Sequence, residues 1–177
     1  MDITSLIRNV PNYPIPGIMF KDITTLLGDS EGFKYTINKL SNRYKNMRID
    51  KIVGIESRGF IFGAALAFEL GIGFVPIRKK GKLPSKTVGL DYDLEYGTDR
   101  IEIHYDAIKK GENVLLIDDL IATGGTAIAA INLIELVKGV VIESCFVVNL
   151  PFLNGSSKIK ELGHNVFSLC EYENEHE

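Results

Sequence analysis

The chain has 177 residues, 45% hydrophobic and 24% charged, with a formal net charge of −3. That composition suits one compact domain with a core of ordinary size. An acidic balance gives no global attraction for nucleic acid or an anionic membrane, so any anion has to be held by local basic residues. The opening residues, MDITSLIRNVPNYP, lack the basic and apolar regions of a secretory signal, and no run of about eighteen apolar residues could span a bilayer. Two cysteines, three scattered histidines and no CxxC give no Cys/His metal site. The expectation is a cytoplasmic protein in which Cys145 and Cys170 are reduced and structural.

In chain order, Ile3, Leu6 and Ile7 give a short amphipathic helix signal. The segment PNYPIPGIMFKDITTLL follows, and its three prolines and one glycine predict irregular structure. Residues 30–47 have Phe33, Ile37, Leu40 and Tyr44 on one helical face. A strand–helix rhythm begins at KIVGI. The helix predicted over Arg58–Leu70 is apolar nearly all round, which predicts burial, and Gly71 is its expected C-cap. GFVPIRK is the next strand. Residues 81–99 are polar and rich in Gly, Lys and Asp, a long lid or an extended hairpin. RIEIHYD alternates like a half-buried strand, NVLLID reads as a fully buried one, and a helix is predicted over residues 124–137. GVVIESCFVVNL, a short helix, the strand NVFSLCEY and an acidic tail complete the chain. Strands alternating with helices predict an α/β fold with a central, mainly parallel sheet flanked by helices.

In such sheets ligands bind beyond the carboxyl ends of the strands. That rule brings three motifs to one edge: ESRG at 56–59, RKKGK at 78–82 and DDLIATGGT at 118–126. In the last, Gly124 and Gly125 permit a tight turn, and successive N–H groups at a helix start favour phosphate. Thr123 and Thr126 add hydroxyl donors. A tight turn with threonine caps would use the same residues. The pattern is neither GxxxxGK[ST] nor GxGxxG, which removes the usual support for nucleotide hydrolysis or hydride transfer. Asp118 and Asp119 repel each other at a strand end. They could accept hydrogen bonds from vicinal hydroxyls, hold hydrated Mg²⁺, or simply face solvent. Together with the phosphate turn they favour a ribose phosphate. Arg58 opens a helix, where the dipole disfavours a cation unless an anion is present. There it could grip diphosphate oxygens bidentately. Arg78, Lys79, Lys80 and Lys82 are a solvated face or a diphosphate site.

The string of apolar residues followed by DDLIATGGT resembles the phosphoribosyl diphosphate signature of the type I phosphoribosyltransferases. YPIPGIMFKDIT (13–24), GIESRGFIFGAALAFELG (54–71), IRKKGKLP (77–84) and LEYGTDRIEIHYDAI (94–108) resemble the adenine-specific family of these enzymes, in its order and near its spacing. The likeness runs from about residue 13 to 172. It implies the type I fold as one domain, residues 1–177, with an N-terminal hood over about 1–32 and a flexible hairpin lid over about 81–99.

The resemblance implies transfer of a phosphoribosyl group to adenine, giving AMP and diphosphate, by a cytoplasmic homodimer that uses Mg²⁺. The metal would be held mainly by substrate diphosphate and water, with Asp118 and Asp119 as further candidates. It implies that the backbone of Ala122, Thr123, Gly124, Gly125 and Thr126 binds the 5-phosphate and that Asp118 and Asp119 take the ribose hydroxyls. Glu56, Ser57, Arg58, Lys79 and Lys82 are expected at diphosphate, and Arg78 at the partner subunit's site. A cis non-proline peptide is expected near Glu56–Ser57.

By the same likeness Phe20 stacks on the base, Leu150 covers its other face, and backbone groups of Met19 and Lys21 read its edge. From the residues alone, Phe20 reads as core. Many relatives carry Arg where this chain has Lys21, a change tolerable only if the backbone alone is used. Glu95 is the implied proton acceptor or donor on the purine, with Tyr96 beside it. Two rival readings remain: transfer to another base, and a ligand-sensing regulator on the same fold. About thirty residues precede the first long helix, too few for a winged helix, which weighs against the regulator.

Overall fold

The computed structural model describes residues 1–93 and 97–174. Its amino-terminal part departs from the sequence expectation. A single 3₁₀ turn over Thr4–Leu6 stands where an amphipathic helix was expected. The proline-rich piece is partly regular: β1 (Arg8–Pro11) pairs antiparallel with β2 (Met19–Asp22), and α1 (Thr24–Gly28) follows. The prolines fall at the end of β1 and in the connection, where no ladder N–H is required. Asp29 then caps α2 (Ser30–Tyr44) by accepting from the Gly32 N–H at 2.6 Å.

The main sheet contains β3 (Lys51–Ile55), β4 (Gly73–Lys79), β5 (Thr87–Asp93), β6 (Thr98–His104), β7 (Asn113–Ile121), β8 (Val140–Asn149) and β9 (Val166–Glu171). The strand order is β5-β6-β4-β3-β7-β8-β9. The neighbours β4, β3, β7, β8 and β9 run parallel, while β6 is antiparallel to both β4 and β5. A mainly parallel sheet was therefore legible in advance. The antiparallel pair β5–β6 is added at one edge.

Side chains alternate across the strands as a two-residue period requires. Leu115 and Ile117 face a core shared with α2 and α3 (Gly59–Leu70), whereas Val114 and Leu116 face the core under α4 (Gly125–Leu136). Ile159 of α5 (Gly155–Glu161) packs into that second core. Both cysteines are free, and burial pushes each thiol up to about 12, which suits the structural role expected of them.

Helix α3 corrects a second expectation. It buries Gly59, Phe62, Gly63, Leu66 and Ala67, the i, i+3, i+4, i+7, i+8 stripe that meets the sheet. Its outer side does not bury: Phe68 is 89% exposed and Ile61 42%. A helix lying on a sheet has only one face against it, so an all-round apolar sequence leaves apolar surface uncovered. Gly71 caps the helix in the left-handed region, as expected.

From β3 the chain crosses over α3 to β4 on one side. From β7 it crosses over α4 to β8 on the other side. The direction of winding therefore reverses between β3 and β7. Their carboxyl ends open the crevice in which open α/β sheets bind ligands.

Candidate active site

A cleft of about 300 Å³ occupies that crevice. Residues 55–58 after β3, Lys79 at the end of β4, and residues 118–127 at the β7–α4 junction line it. The sheet thus gathers the three motifs that the sequence holds far apart.

The β7–α4 turn is shaped for an anion. Gly124 has φ +87°, a conformation that suits glycine, and it stands at the N-cap of α4. The first intrahelical bond runs from the Ile128 N–H to the Gly124 carbonyl at 2.9 Å. The earlier N–H groups of the helix have no intrahelical acceptor, and the helix dipole adds to their positive field. Behind the turn two carbonyls are occupied. The Gly155 N–H donates to Ala122 O at 3.0 Å, and Lys158 Nζ donates to Thr123 O at 3.1 Å. With these two carbonyls engaged, α5 holds the turn from the side away from the cleft. Sequence reasoning missed Gly155 and Lys158. Their only signal was a glycine opening a short helix.

Asp118 and Asp119 differ in surroundings. Asp119 is 4% exposed and accepts from Arg58 Nε. Asp118 is half-buried and accepts from the Asp119 N–H at 2.9 Å. Burial pushes the Asp118 carboxyl well above the usual carboxylate range, and the Asp119 charge adds to this; Arg58 pulls weakly the other way. The acidic pair is short of positive charge. For Arg58, burial opposes its charge, but Asp119, Asp118 and Asp22 more than offset that and hold its pKa up. The direct Arg58–Asp119 pair was not foreseen, since the sequence assigned the two residues to different parts of a ligand.

The Glu56–Ser57 peptide is cis, as the resemblance implied. Glu56 lines the cleft, and its carboxylate braces the neighbouring strand end. It accepts from the Lys79 N–H at 2.8 Å and from Arg78 Nε and Nη2 at 3.2 and 3.3 Å. Burial works against its ionisation, yet these donors hold its carboxyl below the usual range. Arg78 also donates to the Lys82 carbonyl at 3.1 Å. Of the basic cluster, only Lys79 is among the residues lining the cleft. Its ammonium donates to Asp99 and, at 3.2 Å, to Tyr92 Oη.

A second cavity of about 290 Å³ adjoins the first, with Arg58 lining both. Val10, Tyr13, Phe20 and Asp22 form its other walls. The register explains this set. Val10 lies opposite Phe20 on the β1–β2 ribbon, and Asp22 shares the Phe20 face by the two-residue period. The Tyr13 ring meets Phe20 edge-on, centroids 5.1 Å apart, and the Arg58 guanidinium lies 5.7 Å from the Phe20 centroid. Phe20 is thus a cavity wall rather than a core residue.

By the same alternation Met19 and Lys21 direct their side chains away from the cavity. Lys21 Nζ donates to Asn9 Oδ1 at 2.9 Å and lies 3.8 Å from the Tyr172 ring centroid. Whatever these two positions offer the cavity therefore comes from their backbone. Leu150 is 6% exposed in the core beyond β8, its N–H bonded to Ile121 O at 3.0 Å, and it does not line this cavity. Glu95 and Tyr96 lie outside the described residues, between the ends of β5 and β6.

Residues 27–176 match the family model of the phosphoribosyl transferase domain. The adenine phosphoribosyltransferase of Nitrosospira multiformis is 60% identical over 173 residues, 98% of this chain and 99% of that protein. The crystal structure of adenine phosphoribosyltransferase from Thermoanaerobacter pseudethanolicus superposes with a TM-score of 0.92 at 46% identity, covering 96% of this chain and 98% of that one. The Saccharomyces cerevisiae enzyme, solved with adenine and an imino-altritol bisphosphate, gives 0.88 at 42% identity over 95% and 96%. Full-length likeness, the glycine–threonine turn after two acids and the aromatic cavity beside it agree, and the chain belongs to the adenine phosphoribosyltransferase family.

Proposed function

We propose that the chain transfers the 5-phosphoribosyl group of 5-phospho-α-D-ribose 1-diphosphate to adenine, releasing AMP and diphosphate, a purine-salvage reaction. One observation carries the reading: a phosphate turn, an acidic pair and a basic residue share one cleft, and Arg58 joins that cleft to an aromatic cavity wide enough for a purine.

The 5-phosphate sits on the N–H groups of residues 122–126, with Thr123 and Thr126 as hydroxyl donors. Asp118 and Asp119 accept from the ribose hydroxyls. Diphosphate extends toward Ser57, Arg58 and Lys79, whose charges are ready for the negative charge that grows on the leaving group. Lys82 and Arg78 flank this region. Phe20 offers a face to the base, and backbone groups of Met19 and Lys21 read its edge. Adenine N9 attacks the anomeric carbon, the bond to diphosphate breaks, and the configuration inverts. Glu95 takes or returns the purine proton. Closure of residues 81–99, with Tyr96 beside Glu95, excludes water that would otherwise hydrolyse the activated sugar.

Mg²⁺ fits this donor set as a substrate-borne ion. Among the described residues no group of three or more His, Cys, Asp and Glu could cage an ion. A hard dication that keeps several waters and takes the rest of its oxygens from phosphates needs no such cage. Asp118 and Asp119, short of positive charge, are the residues that would hold its hydration shell. When bound, it would add to the stabilisation of charge on the leaving diphosphate.

We also propose a homodimer. Ile61 and Phe68 stand seven residues apart, on one side of α3, and both are exposed. No helix among the described residues is long and apolar enough to cross a membrane, and we assign the protein to the cytoplasm. The deciding experiment is a panel of adenine, hypoxanthine, guanine and xanthine with labelled phosphoribosyl diphosphate. Product from adenine alone supports the assignment, and efficient transfer to an oxopurine instead overturns it.

A further inference from the structure

Beyond falling within residues 81–99, Tyr92 has no role in the scheme above, yet its hydroxyl joins three pieces of it. The residue is on β5, 9% exposed, with its ring packed in the core under α4. Lys79 Nζ donates to its oxygen at 3.2 Å from the end of β4. Thr126 Oγ donates to it at 3.3 Å from the first turn of α4. The Tyr92 hydroxyl itself donates to Asp99 Oδ2 at 3.3 Å, and Asp99 is its directly opposite partner on β6. A phenol offers one proton and two lone pairs, so this arrangement uses its whole capacity and fixes its orientation. Asp99 also accepts from Lys79, whose bond is the largest influence holding that carboxyl below the usual range. Asp99 is therefore an ionised acceptor at neutral pH.

Two of the three groups held this way line the cleft: Lys79 on the diphosphate side and Thr126 on the phosphate turn. The third, Asp99, is on β6. Tyr92 and Asp99 pair one rung before Asp93 and Thr98, the last described pair of the β5–β6 ladder. An ammonium has three N–H groups. With one on Tyr92 and one on Asp99, the third is left to point into the cleft.

We infer that Tyr92 is a positioning residue. Its hydroxyl sets the Lys79 ammonium for diphosphate and locks the diphosphate side, the phosphate turn and the far end of the β5–β6 pair into one geometry. This rests on the proposed reading of the cleft as a phosphoribosyl diphosphate site. It predicts that the hydroxyl acts on the diphosphate end of the substrate and leaves the base site unaffected.

Tyr92→Phe removes the hydroxyl and keeps the ring, and Asp99→Asn removes the charge while keeping the shape. Binding of inorganic diphosphate, measured by calorimetry, needs no base and tests the inference whichever purine is the acceptor. Tyr92→Phe is expected to weaken diphosphate roughly tenfold, the range for losing a bond to a charged group, and to raise the KM for phosphoribosyl diphosphate in parallel. The KM for adenine should stay within twofold, and Asp99→Asn should act in the same direction. In a Lys79→Ala background, Tyr92→Phe should add less than twofold to the loss of diphosphate binding.

Wild-type diphosphate affinity in both Tyr92→Phe and Asp99→Asn would overturn the inference. So would a full tenfold further loss in the Lys79→Ala background, or equal damage to the adenine KM. Failure of the wild-type protein to use any purine, with the Tyr92→Phe effect on diphosphate intact, would overturn the functional reading and leave this inference standing.

Discussion

Gly155→Ala isolates the contact that braces the phosphate turn. A Cβ at Gly155 falls 2.3 Å from Ala122 O, 2.7 Å from Gly124 N and 3.0 Å from Ala122 C. The shortest of these is roughly 1 Å inside an ordinary van der Waals approach. All three atoms are backbone and cannot rotate aside. Gly155 is not among the positive-φ residues, so alanine meets no backbone penalty there and gains a little helix propensity, at most about 1 kcal/mol. What remains is overpacking, typically about 1–3 kcal/mol. A net loss of about 2 kcal/mol corresponds to a melting temperature about 4–8 °C lower for a chain of this size.

The functional effect should be larger. Relief of the overlap moves the turn by roughly 1 Å, and a misplacement of that size can cost about 10²-fold in rate. Steady-state kcat/KM with phosphoribosyl diphosphate, beside a thermal melt, reads both effects. Gly28→Ala is the control, since a Cβ there meets nothing within 4 Å, and it should change neither. Wild-type melting and wild-type kcat/KM in Gly155→Ala would refute the argument that a close backbone approach holds the turn.

Glu95→Ala and Glu95→Gln should lower kcat by about 10²–10⁴-fold, the usual contribution of a proton-transfer group, with adenine binding intact by calorimetry; wild-type turnover in both would remove Glu95 from the chemistry. Arg58→Ala should weaken diphosphate and phosphoribosyl diphosphate by about 10–100-fold, the scale of a charge-assisted bond, and AMP far less; equal weakening contradicts its placement. Asp118→Asn should weaken phosphoribosyl diphosphate binding while stabilising the free protein at neutral pH, by about 1 kcal/mol or about 2–4 °C. The sign follows from its raised folded pKa. Protonation is favoured in the folded state, so the group's stabilising contribution is present at acid pH and is lost as pH rises through the folded value. Thermal melts of the free protein with chelator, from pH 4 to 8, should show the variant's advantage growing with pH, and a shrinking advantage would contradict it. Phe68→Glu should shift the protein toward a smaller species in light scattering, and an unchanged mass would move the proposed interface elsewhere.

Periodicity and turn chemistry made much of the molecule legible in the sequence. KIVGI and GFVPIRK became strands at their own boundaries, because short apolar runs between breakers leave little choice. The turn between β7 and α4 was visible for a local reason: two glycines and two threonines stand where a buried strand gives way to a helical period. The same local logic failed in the N-terminal segment. There three prolines concealed the β1–β2 pairing, and no single-residue pattern shows that Val10 faces Phe20. It failed again on α3, where hydrophobicity alone cannot say which apolar face has a partner.

The sequence by itself determined the strand–helix rhythm from β3 onward, the position of the β7–α4 turn and the family resemblance, because these depend on neighbours along the chain. Only the tertiary structure decided how the motifs work together. The reversal of winding between β3 and β7 brings Arg58 onto Asp119 across a sequence separation of 61. The close approach of α5 puts Gly155 behind the phosphate turn, and the edge hairpin brings the Tyr92 hydroxyl to Lys79 and Thr126. Each is a contact between elements distant in sequence, set by strand order and packing distance, and a one-dimensional pattern carries neither quantity.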